Sequence, residues 1–202
     1  LDGQLRADGA APFPTSSQRQ GVRHEQDAET WWEATRCALQ SLTDTLRRDG
    51  VARGSIRALA VDGTSGTLVC LDDDGATIRP ALMHDDVRAD KEAAEVAERT
   101  ATFSHRVGYG ISASFSAAKI MWLRRHEPQR FEATRWLSHQ VDFILARLSG
   151  ELGTTDYSNA LKTGYDLVNE EWPEWLLSLE GVAERLPHSV LAPATPCGQI
   201  RP

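Results

Sequence analysis

The chain has 202 residues, a formal net charge of −7, and 41% hydrophobic and 25% charged residues, which suits one ordinary domain, or slightly more, with a sizeable core. The acidic balance argues against a nucleic-acid surface, and no apolar run approaches the ~20 residues needed to cross a bilayer. Cys37, Cys70 and Cys197 are odd in number and far apart, which argues against a disulfide framework or a metal-ligand spacing and predicts a reducing, cytoplasmic setting.

Leu1-Asp2-Gly3-Gln4-Leu5 reads as a hairpin turn, with Arg6 to Pro14 as the returning strand and the opening strand expected ahead of Leu1. Residues 15–26 predict a polar loop. Asp27-Ala28-Glu29 open a helix that runs to Arg48, with acids in its first turn, Arg47 and Arg48 in its last, and Gly50 as its stop. Ile56 to Val61 reads as a buried strand, followed by Asp62-Gly63-Thr64-Ser65-Gly66-Thr67, a cluster of glycines and hydroxyls. Leu68 to Leu71 predicts a second buried strand, and Asp72-Asp73-Asp74-Gly75 a turn. Residues 76–82 are expected to be extended, 87–100 a charged helix, and 101–113 a loop.

A strongly amphipathic helix is predicted at 115–126, closed by Pro128 and capped by one of Ser112, Ser114 and Ser116. Gln129 to Thr134 predicts a short helix, Trp136-Leu137 a strand edge, and Gln140 to Leu148 a helix with Gly150 near its C′ position. Thr154 to Asp166 reads as polar loop. Trp172-Pro173 starts a last helix to about Leu179, and Leu186 to Pro202 is a Pro-rich exit segment. Strands with helices before and after them predict an α/β layer architecture.

Three clusters carry candidate chemistry. The 62–67 turn offers backbone amides and hydroxyls at a strand end, the usual ligand position in open α/β sheets. The same residues equally make an ordinary hairpin, in which Gly supplies positive φ and Thr and Ser cap the backbone. No Gly-Lys-Ser/Thr follows, so it is not a P-loop. His84-Asp85-Asp86-x-Arg88 gathers a His, two acids and an Arg. These suit sugar hydroxyls or a tuned pKa, or else a helix N-terminus capped by Asp85 or Asp86 with Arg88 in solvent. Lys119 lies among apolar residues that read as core, and it is expected to be a structural or surface lysine. The other histidines, His139 among them, read as surface or core.

Five stretches in order resemble the N-terminal domain of the FGGY carbohydrate kinases, the family of xylulokinase, ribulokinase and glycerol kinase. They are Ile56 to Ser65 with Leu71-Asp72; Ile78-Arg79-Pro80-Ala81-Leu82-Met83-His84-Asp85-Asp86-Val87-Arg88; Ser114 to His126, with its Lys119-x-x-Trp122-Leu123; Gln140 to Gly150; and Thr155-Asp156-Tyr157-Ser158-Asn159-Ala160 with Lys162-Thr163. The resemblance covers about 25–202. It implies an actin-like, ribonuclease-H-like α/β fold with a mixed sheet flanked by helices, in which 1–202 is a sugar-binding domain without its first strand and phosphate hairpin. It also implies ATP- and Mg²⁺-dependent phosphorylation of a sugar hydroxyl in a cleft shared with a C-terminal ATP-binding domain.

The resemblance further implies that Asp62, Thr64, Ser65, Gly66, His84, Asp85, Asp86, Arg88 and Ser114 are substrate-binding. The general-base Asp, and most of what holds ATP and Mg²⁺, would lie beyond Pro202, so the chain alone is expected to be inactive. Xylulokinases carry Gln-Met-His where this chain has Thr64-Ser65-Gly66, and His84 replaces a Trp of xylulokinases and glycerol kinases. Ser114 stands about where glycerol kinases place a substrate-contacting Tyr. The Asp62-Gly63-Thr64-Ser65 form and the run Asn159 to Asp166 look more like the D-ribulose kinase branch. A ketopentose is therefore expected, D-ribulose first. D-xylulose, L-ribulose, sedoheptulose, a polyol, or a non-catalytic sugar-binding domain are the alternatives, and a homodimer is left open.

Overall fold

The computed structural model describes residues 3–13 and 18–201, and its architecture is laid around one short strand. That strand, Leu68–Leu71, is buried at all four positions. It is β3 of a five-stranded sheet whose spatial order is β1 (Gln18–Gln20), β2 (Arg23–Gln26), β4 (Ala81–Leu82), β3 and β5 (Trp136–His139). Every pairing in it is antiparallel. Successive side chains of a strand point to opposite faces, so β3 feeds two cores. Val69 and Leu71 join Trp31 of α1 (Ala28–Arg48) and Phe143, Ile144 and Leu148 of α6 (Gln140–Ser149). Leu68 and Cys70 join Ala93 of α2 (Asp90–Arg99), Ala118, Ile120 and Leu123 of α4 (Ser116–His126), and Phe131 of α5 (Pro128–Ala133).

The remaining α-helices and strands are α3 (Ala101–Val107), β6 (Thr154–Asp156), α7 (Tyr157–Thr163), α8 (Glu174–Leu177) and β7 (Ser189–Leu191), with 3-10 turns at Arg53–Ser55 and Ala183–Arg185. β6 and β7 pair in parallel as a separate two-stranded sheet. Among the described residues, this pair holds the parallel component of the expected mixed sheet.

Several elements stand as the sequence predicts: α1 with Asp27 accepting from the Glu29 amide, β3, the Asp72–Gly75 turn, α5, and α6 ending on Gly150. Others differ. Residues 56–61 form no strand; Ile56 and Leu59 are exposed, and no described strand runs beside them to accept their ladder hydrogen bonds. No strand forms over 3–13 either. The predicted loop at 15–26 holds the β1–β2 hairpin, because β4 supplies β2 with a partner. Leu1, Asp2 and 14–17, on which parts of the predicted N-terminal hairpin and loop fall, lie outside the described residues, as does Pro202.

α2 begins at Asp90, so Asp85 and Asp86 precede it and cap nothing. The predicted 101–113 loop contains α3, anchored by buried Phe103. α4 is buried continuously from Ser116 to Leu123 and is therefore not amphipathic; Phe115 is its N-cap, and no serine side chain caps it. The predicted loop at 154–166 holds β6 and α7, whose N-terminal amide at Asn159 is capped by Asp156. The last predicted helix is limited to α8, and the predicted exit segment supplies β7.

Candidate functional site

Three loops meet where β3, β4 and α4 begin or end. The first runs from Asp62 to Thr67. The Asp62 carboxylate is exposed and accepts from the Gly63 amide at 2.9 Å, and the Thr64 amide donates to Gln140 Oε1 at 3.1 Å. Thr64 is exposed and Ser65 partly so, while Gly66 and Thr67 turn inward. The second loop follows β4, from Met83 to Arg88. The third, Ser112 to Phe115, leads into α4, and its Ser112 and Ser114 hydroxyls lie 2.9 Å apart.

Lys119 ties the three together. Its side chain is fully buried, and Nζ donates to the carbonyls of Met83 (2.6 Å), Gly66 (2.7 Å) and Ser114 (3.0 Å). Burial pushes its pKa down to about 7, against the pull of Asp86 and Asp85. Thr67, also fully buried, adds a second link: its Oγ1 accepts from the His84 amide at 3.1 Å. The His84 imidazole itself is exposed. Lys162 of α7 borders the first loop, with its ammonium 4.1 Å from the centre of the Phe115 ring.

The acidic and basic residues of the second loop divide. The Asp85 carboxylate meets His24 Nδ1 at 2.5 Å and Arg19 Nη2 at 2.6 Å. Its burial would raise its pKa, but the hydrogen bond and charge of His24 outweigh that and hold it below the usual value. Asp86 is wholly buried. It accepts from the His24 amide (2.7 Å), the Arg88 amide (3.1 Å), and Arg88 Nε (2.9 Å) and Nη2 (2.6 Å). Desolvation of this carboxyl is likewise outweighed by Arg88, and its pKa is lowered. Arg88 also meets Glu25 at 2.7 Å, and its guanidinium lies 4.9 Å over the Trp122 ring.

Of the nine predicted substrate residues, then, Thr64, Ser65, His84 and Ser114 keep exposed or partly exposed positions on the three loops that Lys119 ties together, Gly66 is buried beneath them, and Asp62 is exposed at the start of the first loop. Asp85 is engaged by the β1–β2 hairpin. Asp86 and Arg88 are buried, and their hydrogen-bonding groups are taken up by each other and by the hairpin. Arg88 is not in solvent.

Lys119 is structural and His139 is core, each one of the two alternatives the sequence reading gave; their partners, and the part played by Thr67, were not foreseen. Lys119 and Thr67 hold the loops. His139, fully buried at the end of β5, lies with Nδ1 2.6 Å from Asp142 and Nε2 2.7 Å from Thr163, joining β5, α6 and α7 beside the first loop. The signal for Lys119 was its placement between Ala118 and Ile120, with Phe115, Ser116, Trp122 and Leu123 one turn away, a lysine on an apolar face.

A groove of about 670 Å³ runs between residues 9–13, α1, residues 59–62 and α6, lined by Trp31, Leu39, Val61 and Val141, with Asp62 among its lining residues. Ser65, His84 and Ser114 do not line it. Among the described residues, no group of three or more His, Cys, Asp or Glu is placed to hold a metal ion, and no helix is long and apolar enough to cross a membrane.

The model of the FGGY family of carbohydrate kinases, N-terminal domain, matches residues 2–202. The chain is similar to the xylulose kinase of Streptomyces rubiginosus, 32% identical over 98% of this chain and 40% of that protein. It is also similar to glycerol kinase 1 of Pseudomonas aeruginosa, 33% identical over 88% of this chain and 37% of that protein. Among solved structures, a xyloylose kinase from Brucella ovis superposes with a TM-score of 0.83 at 25% identity, covering 96% of this chain and 39% of that one. The xylulose kinase from Rhodospirillum rubrum gives 0.74 at 28% identity, over 95% and 39%. The chain thus spans about 40% of the length of these Streptomyces xylulose kinases.

Proposed function

Because the chain belongs to the FGGY family of carbohydrate kinases, in the actin-like α/β fold of that family's N-terminal domain, we propose that it is the sugar-binding part of a cytoplasmic enzyme that phosphorylates a ketopentose. The phosphoryl donor is ATP, and the favoured acceptor is D-ribulose. The observation that carries this reading is that the loops bearing Thr64, Ser65, His84 and Ser114, four small or planar hydrogen-bonding side chains, are joined through their backbones by one buried lysine.

Sugar hydroxyls are recognised by groups that both donate and accept. In this reading the Ser65 and Ser114 hydroxyls and the His84 imidazole exchange hydrogen bonds with the ketose, Thr64 and Asp62 add acceptors at the rim, and Gly66 keeps the backbone close. A site built to bond a given hydroxyl discriminates strongly against a sugar lacking it, because its own polar groups are then left unpaired. Asp85, Asp86 and Arg88 act one step back, holding the His84 loop to the β1–β2 hairpin. Mg²⁺ supplies charge neutralisation on the transferring phosphoryl group. In this reading the Mg²⁺ ligands, the general base and the ATP-binding residues belong to the part of such a kinase that the relatives' greater length leaves room for.

D-xylulose is the second reading, favoured by the xylulose kinases among the relatives; Thr64-Ser65-Gly66, against the Gln-Met-His of that branch, supports D-ribulose. The test is ADP release by the full-length protein with D-ribulose, D-xylulose, L-ribulose, sedoheptulose and glycerol. Turnover highest with D-ribulose is expected. Preference for D-xylulose would replace the substrate and keep the reaction. A folded, ATP-binding protein that turns over none of the five overturns the proposal.

A further inference from the structure

Eight consecutive residues of α4, Ser116 to Leu123, are buried, and Lys119 stands in the middle of them. A lysine there loses its hydration and must recover it from protein acceptors. Its acceptors are carbonyls and not carboxylates, and they come from three separate segments, 53, 36 and 5 residues away in sequence. Three carbonyls match the three N–H groups of an ammonium. Each acceptor lies next to a candidate sugar contact: Gly66 follows Ser65, Met83 precedes His84, and Ser114 carries its own hydroxyl.

Resting on the reading above, we propose that Lys119 is the positioning residue of the sugar site: one ammonium bonded to the backbone of all three ligand-facing loops fixes Ser65, His84 and Ser114 relative to one another, and so sets sugar affinity without touching the sugar. A 1 Å error in such positioning is enough to lose much of the binding geometry. The rest of the environment is consistent with this role. Asp86 and Asp85 favour the ammonium and hold it against burial, while Arg88 and Lys162 oppose it. Deprotonation would leave two N–H groups for three carbonyls and release one loop. With the pKa brought down to about 7, the clamp weakens as the pH rises through neutrality.

The test uses the full-length protein with D-ribulose. Lys119→Met keeps a comparable stem and removes every donor. The expected result is a sugar KM raised about ten-fold or more, equivalent to ~1.4 kcal/mol per factor of ten, with the ATP KM within about two-fold of wild type, as expected for a change confined to sugar binding. The second measurement needs no variant at position 119: the wild-type sugar KM should rise several-fold from about pH 6 to 8.5 while the ATP KM stays flat, and His84→Asn should keep that rise if Lys119 rather than the imidazole causes it. A folded Lys119→Met protein with wild-type sugar KM overturns the inference and leaves the kinase reading standing. So does a Lys119→Met protein in which the sugar KM and the ATP KM rise equally. Failure of the wild-type protein to bind any of the five sugars removes both.

Discussion

Gly66 sits at φ +84°, and a Cβ added there would stand 3.0 Å from the Ser114 carbonyl oxygen. The expectation that a glycine lets the backbone approach closely therefore has a concrete partner, one that is also an acceptor of Lys119. An alanine at this position takes on left-handed strain of about 1–2 kcal/mol and pushes against one of the three carbonyls on the ammonium, that of Ser114. Gly66→Ala should lower unfolding stability by at least that amount in urea titrations, and raise sugar KM more than ATP KM. A variant with unchanged stability and unchanged sugar KM would mean the loop relaxes freely. At this scale the sequence names the residues better than it assigns their work. Ser65, Gly66, His84 and Ser114 were named through the family resemblance, since type and order alone left them equally readable as turn and cap residues. Asp86 and Arg88 could not be placed, since a carboxylate and a guanidinium two residues apart look alike in a site and in a buried ion pair.

Elements whose formation depends on local signals were readable, and those that depend on distant partners were not. α1 carries its cap, its charge gradient and its apolar period within itself. By contrast, Ile56 to Val61 has the composition of a buried strand, yet forms none and is exposed from Ile56 to Ala60, because strand formation needs a neighbour's amides and carbonyls. β1 and β2 are polar and short, and β4 supplies what their sequence does not show. α7 is the instructive middle case, because Asp156 gives a capping signal over a run too short to display a period. The Asp156 carboxylate accepts from the Asn159 amide at 2.9 Å and from Asn159 Nδ2 at 3.1 Å. Asp156→Ala should cost about 1 kcal/mol, typical of a lost N-cap, and hydrogen exchange should quicken first in residues 157–163, loosening Thr163 from His139. Uniform exchange across the molecule would instead show that α7 is held by packing alone.

At the scale of the molecule, the buried charges bind the hairpin to the rest. Arg79, its side chain 1% exposed, meets Glu25 at 2.5 Å and Glu127 at 3.2 Å; Arg88 meets the same Glu25 and also Asp86; and Asp86 receives the His24 amide. Such a network contributes little when compared with an apolar core of equal volume, but losing one member leaves the others buried without a partner, at a cost of about 3–5 kcal/mol. Its pH dependence has a definite sign. Asp85 and Asp86 are held below their ordinary pKa in the folded chain, so the unfolded chain takes up protons first, near 3.8. The stability they contribute is complete above that value and is lost as the pH falls below it. Lys119 works the other way. Folding depresses it from 10.5 to about 7, the unfolded chain then holds more protons between those values, and stability rises with pH across that window even as the loop clamp loses a donor. Asp86→Asn is the decisive variant. It should lower stability at pH 7 by several kcal/mol and flatten the acid limb of a urea-midpoint profile taken from pH 7 to 3, while leaving the rise above pH 7 in place. If the acid limb keeps its wild-type slope, the protons that unfold the molecule bind elsewhere, and the hairpin is held to the second loop by its backbone pairing with β4 rather than by the charges beneath it.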